Sequence, residues 1–162
     1  MKIKLNGGKP ALEQDCVALE TALGCRLSDS YRAFLRSHDG ARPENNIFKI
    51  NDKNSCGVND FIPLEKIWNE RACLENIPPK AYPVAWAECG NFVFLDEDCH
   101  GAAFFWDHEL PEEIVKLAPS FGAFLDLLEP FDVKSIKLKP GQVKNSWVHP
   151  DYVDFLKKFR KK

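Results

Sequence analysis

Two acidic clusters hold the side chains of this 162-residue chain whose types and spacing could do chemistry. Asp107-His108-Glu109 sets an imidazole between two carboxylates, the partners from which general acid–base catalysis is built. In an extended strand, however, successive side chains point to opposite faces. Asp107 and Glu109 would then share one face and His108 the other, so the triplet does not preassemble a proton relay. Asp96, Glu97, Asp98, Cys99 and His100 form the second cluster. Carboxylates at alternate positions suit a hard cation, but a calcium loop needs further oxygen ligands at defined spacing. Here the glycine arrives only after His100, and no closing glutamate follows. Cys99 and His100 could join His108 on zinc only if the chain folded them together, and a fourth ligand is not evident. A solvated acidic turn and a polar network at a strand end are the expected roles, with no metal, no cofactor and no catalytic residue. The competing enzyme reading is a metal-dependent hydrolase using Asp96, Asp107 and His108.

Other catalytic signatures are missing. There is no phosphate-binding glycine loop, no Gly-x-Ser-x-Gly elbow and no His-Glu-x-x-His helix. A protein-binding surface remains. Residues 96–98 and 107–109 place acidic and histidine side chains near Trp106, with Glu112 and Glu113 close behind. The partner-binding residues expected are therefore Asp96, Glu97, Asp98, Trp106, Asp107, His108 and Glu109, forming one negative edge. Such an edge beside aromatic anchors suits rapid capture of a basic protein. Changing Asp96 and Glu97 to lysine is then expected to slow capture and leave thermal stability nearly unchanged. The alternative is an acidic rim that only solubilises.

Charge is unevenly distributed. Residues 1–130 carry 13 Lys and Arg against 21 Asp and Glu, a net −8, while residues 131–162 carry 9 against 3, a net +6. A basic tail on an acidic body points to docking on the same domain, to a basic partner for the body, or to nucleic acid near the tail. Docking is preferred. Trp68, Trp86, Trp106 and Trp147 read as core or interface rings, since the acidic flanks in the body are the wrong field for phosphate. No apolar run reaches the roughly 18 residues that span a bilayer, and MKIKLNGGKP has no signal-peptide core. A cytoplasmic monomer is expected, without nucleic-acid or membrane partners. Its six cysteines form no CxxC pair and read as reduced, structural thiols.

The elements that must position these residues follow from periodicity. Leu12, Cys16, Leu19 and Leu23 share a helix face that Gly24 closes in the left-handed conformation. Ser28 stands where its side chain could cap a second helix, whose stripe is Leu27, Tyr31, Phe34, Leu35 and His38. Residues 47–50 and 58–62 read as short strands. Pro63 opens a helix through Leu64, Ile67, Trp68 and Ala72. Residues 82–87, 92–95 and 102–106 form an antiparallel meander, and Ser120 caps a helix carrying Phe121, Phe124, Leu125 and Leu128. A strand at 133–138, a Pro140-Gly141 turn and a helix opened by Pro150, with Tyr152, Phe155, Leu156 and Phe159 inward, complete the chain.

The spacing Leu23-Gly24, Leu27-Ser28, Tyr31, Phe34-Leu35, Asp39-Gly40, Pro43 resembles the opening signature of the SUKH superfamily, Smi–Knr type. Ser28 stands for its proline and Asp39 for its asparagine. Further segments are similar in the same order: Pro83-Val84-Ala85, Gly90-Asn91, Leu95-Asp96, Gly101 with Phe105-Trp106-Asp107-His108-Glu109, and Ser120-Phe121 with Phe124-Leu125. The resemblance covers residues 12–128 and implies an α+β fold, a small, mainly antiparallel, twisted sheet with packed helices. It divides the chain into a SUKH-like domain, 1–130, and a basic extension, 131–162. Bacterial members of this family are chiefly immunity proteins of polymorphic and contact-dependent toxin systems. They bind a cognate toxin, often a nuclease, and block it without chemistry. The resemblance thus implies a non-enzymatic immunity protein. A regulatory or scaffold module without a toxin partner is the alternative.

Overall fold

The computed structural model describes residues 3–132, together with Gly141, Trp147, His149 and Tyr152. The chain divides into two compact units, Met1–Phe131 and Asp132–Lys162. The strand expected at 133–138 and most of the helix expected after Pro150 lie outside the described residues. Along the first unit run β1 (Leu5–Asn6), α1 (Glu13–Leu23), α2 (Asp29–His38), β2 (Arg42–Pro43), β3 (Ile47–Lys49) and β4 (Ser55–Phe61). Then come α3 (Ile67–Arg71), β5 (Ala81–Ala87), β6 (Phe92–Asp96), β7 (Ala102–Trp106), β8 (Val115–Ala118) and α4 (Phe121–Asp126). Among the described residues the fold is α+β, with four helices and a six-stranded antiparallel, nearly closed sheet. Each strand from β3 to β8 pairs with its neighbour in sequence. Short turns join β3 to β4, β5 to β6 and β6 to β7, where local closure costs little entropy, whereas β4 reaches β5 through a connection that includes α3. Glu129, beyond α4, bridges back to Ile47 through two backbone hydrogen bonds of 3.0 and 2.8 Å. The free edge of β3 is thereby covered.

Aromatic rings fill both faces of the sheet. On one face Tyr82 meets Tyr31 of α2, with ring centroids 5.6 Å apart, and Phe105 meets Phe48, which packs on Phe124 of α4. On the other face Trp86, Phe92 and Trp106 stand in register, under α3 and the segment that follows it. There Lys66 lies 5.6 Å from the Trp86 ring centroid. Phe121 of α4 contacts Tyr31, Phe34 and Phe61, joining helices to sheet.

Several expectations need correction. Leu12 is extended and 59% exposed, because α1 starts one residue later and leaves it off the buried stripe of Cys16, Leu19 and Leu23. Trp68 is 51% exposed. A 3₁₀ turn over Leu64–Lys66 precedes α3 and rotates the later residues away from the projected helical face. Cys73, Cys89 and Cys99 are exposed, whereas Cys16 and Cys56 are buried. No helix among the described residues is long and apolar enough to cross a membrane. Gly24, by contrast, closes α1 with φ 66°, its N–H and that of Cys25 returning to Thr21 and Glu20 carbonyls.

Asp39, past the end of α2, is buried and exchanges two backbone hydrogen bonds with Lys9. Its Oδ1 accepts the Leu64 N–H at 2.8 Å, which fixes the start of the 3₁₀ turn. Burial raises the carboxyl pKa, and the Leu64 N–H opposes that rise. The folded state therefore holds this proton more tightly than the unfolded chain does. The associated stability is complete below the unfolded carboxyl pKa and is lost as pH rises through the folded one. Asp39→Asn keeps the acceptor and removes the buried charge. It is expected to raise stability at neutral pH by about 0.5–1 kcal/mol, a gain that shrinks on acidification. Urea unfolding at neutral and acidic pH measures both.

Candidate functional site

The β6–β7 hairpin decides where the acidic side chains go. Its register is unbroken, with Phe92 opposite Trp106 and Asp96 opposite Ala102. Residues 96–100 form the turn at one end, and residues 107–109 leave the other end. At about 3.3 Å per residue the two groups stand roughly 13 Å apart along the strands. The single negative edge expected from the sequence is thus two separate surfaces, and Asp96, Asp107 and His108 do not converge. Among the described residues no group of three or more His, Cys, Asp or Glu side chains is placed to hold a metal ion.

The turn end is a structural clamp. Asp96 is only 4% exposed. Its Oδ1 accepts the Asp98 N–H at 3.0 Å and starts the 3₁₀ turn Glu97–Cys99. Glu97 reaches across to α2, where its Oε1 accepts the Ser28 N–H at 2.9 Å and the Tyr82 hydroxyl at 2.5 Å. A carboxylate there answers both an orphan amide and the positive end of the helix. The Tyr82 phenol is pushed well above its ordinary pKa, first by burial and then by the Glu97 charge, so it stays protonated and donates. The expected Ser28 side-chain cap is not made. Ser28 Oγ is buried without a hydrogen-bond partner among the described residues, pressed against the bare backbone of Gly101. Of residues 96–98 only Asp98 is exposed, and Lys80 holds it at 2.6 Å.

Stability therefore depends on this turn. Glu97→Ala strands the Ser28 amide and the buried Tyr82 hydroxyl, and is expected to cost about 2–3 kcal/mol. A chemical-denaturation midpoint with unchanged slope reads the loss. Changing Asp96 and Glu97 together to lysine adds a buried cation to that loss, so near-unchanged thermal stability is no longer the expected result.

At the opposite end Trp106 is 5% exposed, its Nε1–H donating to the Glu75 carbonyl at 3.0 Å and its ring edge-on to Phe92. It anchors the core and offers no surface. Asp107 Oδ1 accepts the Glu109 N–H at 2.9 Å, so the chain turns here and the alternation of an extended strand does not apply. Buried Asn91 takes both the His108 amide, at 3.1 Å, and His108 Nδ1–H, at 2.8 Å, on its Oδ1. His108 Nδ1 lies 3.8 Å from Asp107, an ion pair only when the ring is charged. The exposed remainder is Glu109, Leu110, Glu112 and Glu113, with Leu110 45% exposed. These three glutamates make no ion pair among the described residues. Such a surface can attract and orient a cationic partner.

A sequence model of the SMI1/KNR4 family (SUKH-1) matches residues 10–127, from just before α1 through α4. The chain belongs to the SMI1/KNR4 family. No curated protein matches it. Within this SMI1/KNR4 chain the signature residues are structural. Leu23, Leu27, Tyr31, Phe34 and Leu35 are buried, Asp39 holds Leu64, Asn91 holds His108, and Gly101 seats Ser28.

One surface of the SMI1/KNR4 unit escaped sequence reasoning. A groove of about 260 Å³ lies between α1 and the start of α3, lined by Ala18, Leu19, Ala22, Leu64 and Trp68, with Asp15 and Glu65 on its rim. The Arg71 guanidinium sits 5.5 Å from the Trp68 ring centroid. A continuous helix from Pro63 would bury Trp68 and fill this groove; the 3₁₀ turn at Leu64–Lys66 that opens it has no local signal in the sequence.

Proposed function

We propose that this chain is a non-catalytic immunity protein that binds a cognate polymorphic or contact-dependent toxin in the cytoplasm and blocks it by occlusion. Membership of the SMI1/KNR4 family over residues 10–127 carries this reading, since bacterial members of the superfamily it resembles are chiefly such proteins. Charge supports it. The first 130 residues carry a net −8, and the exposed carboxylates Glu109, Glu112 and Glu113, without an ion pair among the described residues, cluster at one end of the hairpin, beside His108 and Asp107. A nuclease, positive where it holds phosphate, is the toxin class that such a field favours. Asp98 remains a peripheral contributor. Asp96, Glu97 and Trp106 act by holding the fold.

The test is protection. A toxin domain encoded beside this chain's gene is produced in a sensitive host with and without the chain. Growth is expected to recover only when both are present, and purified toxin should lose activity linearly up to one equivalent of this protein. A toxin that stays fully active with excess chain, and forms no complex with it, removes the reading.

A further inference from the structure

The two edges of the sheet are treated differently. The β3 edge is covered by the Ile47–Glu129 hydrogen bonds, whereas β8 pairs only with β7, through Ala103–Ala118, Phe104–Lys116 and Phe105–Val115. Among the described residues no backbone hydrogen bond reaches the outer edge of β8. An open edge is a template for another strand, and main-chain hydrogen bonds there give affinity without demanding one sequence. The residues that lead into β8 give it a charge preference. Glu109, Glu112 and Glu113 are exposed and make no ion pair among the described residues, and Leu110 stands among them as an apolar contact. The net −8 of the first 130 residues works against pairing with a second copy. Lys116, exposed on the strand itself, disfavours a cation directly opposite it and leaves the favourable charge contacts to residues 109–113.

We infer that the β8 edge is a strand-addition site for an extended, lysine- or arginine-bearing segment of a partner protein, whose cations meet Glu109, Glu112 and Glu113. The segment adds a seventh strand beside β8. Backbone pairing supplies the attachment, and the carboxylates set which end of the segment lies beside residues 109–113. This inference rests on the reading of the chain as a protein-binding module, and names the part of its surface that binds.

A short peptide of alternating lysine and valine tests it, beside the same peptide N-methylated at every second amide. The plain peptide is expected to slow amide exchange within Val115–Ala118 and to bind about tenfold more tightly than the methylated one, the worth of one or two backbone hydrogen bonds. The variant Glu109→Lys, Glu112→Lys, Glu113→Lys should lose about tenfold in peptide affinity, with its melting temperature held. Equal binding of the two peptides would leave charge alone at work and overturn the proposal. Protection appearing elsewhere on the chain, or no binding of the plain peptide, would overturn it as well. Failure here is separable from failure of the proposed function, because protection against the toxin is measured without any peptide.

Discussion

Phe121→Ala is expected to lower stability by about 4 kcal/mol and the melting temperature by roughly 10 °C. The ring is fully buried. It meets Tyr31 and Phe34 edge-on with centroids 5.0 Å away in each case, and Phe61 at 5.8 Å. Those partners come from α2 and β4, so one side chain on a six-residue helix ties three elements together. Truncation removes the transfer energy of the ring and leaves a cavity whose rigid aromatic walls cannot collapse. Phe121→Leu refills part of that space and should cost about 1–2 kcal/mol. Urea unfolding with an unchanged slope gives both values. A cost below about 1 kcal/mol for the alanine variant would contradict the packing described.

Gly101→Ala should cost about 3 kcal/mol, from two separable causes. With φ at 71° the residue is left-handed, which costs a residue bearing Cβ about 1 kcal/mol or more. The added Cβ would also stand 2.5 Å from Ser28 Cβ and Oγ, and relieving that overlap costs about 1–3 kcal/mol. A double-mutant cycle separates the two. In a Ser28→Gly background the overlap disappears, so the penalty of Gly101→Ala should fall by at least about 1 kcal/mol. Equal penalties in both backgrounds would mean that the turn and α2 do not touch.

The features legible in the sequence are those set by neighbours along the chain. Gly24 closes α1, Ser120 caps α4 by accepting the Ala123 N–H at 3.2 Å, and β5, β6 and β7 lie where short apolar runs alternate with turns. β8 was missed because four residues, Val-Lys-Leu-Ala, carry too little alternation to be told from a loop, and only pairing with β7 makes them a strand. Ser28 Oγ makes no cap, and the carboxylate that accepts the Ser28 N–H comes from a turn 69 residues away. Burial of Asp96 and Trp106 likewise depends on partners that no local pattern announces.

The splitting of the acidic residues was in principle readable. Two antiparallel strands of equal length must place their joining turn and their far ends apart, so residues 96–98 and 107–109 could not share an edge. Treating each cluster by its charge, without its place on the hairpin, merged them. Trp106 shows the complementary difficulty. A large ring beside acids resembles an interface anchor in sequence, yet the Glu75 carbonyl takes its N–H and the core takes its rings.

The Glu97–Ser28 link also sets an order of events during synthesis. Residues 13–38 leave the ribosome before the acceptor for the first amide of α2 has been made. At about 5–20 residues per second, Glu97 follows Ser28 by roughly 3 to 14 seconds, and Glu129, which covers the β3 edge, comes later still. Through that interval the nascent segment leaves Tyr31 and Phe34 without the sheet and α4 that bury them in the finished fold, so any chaperone that binds aromatic segments has a window on every newly made copy.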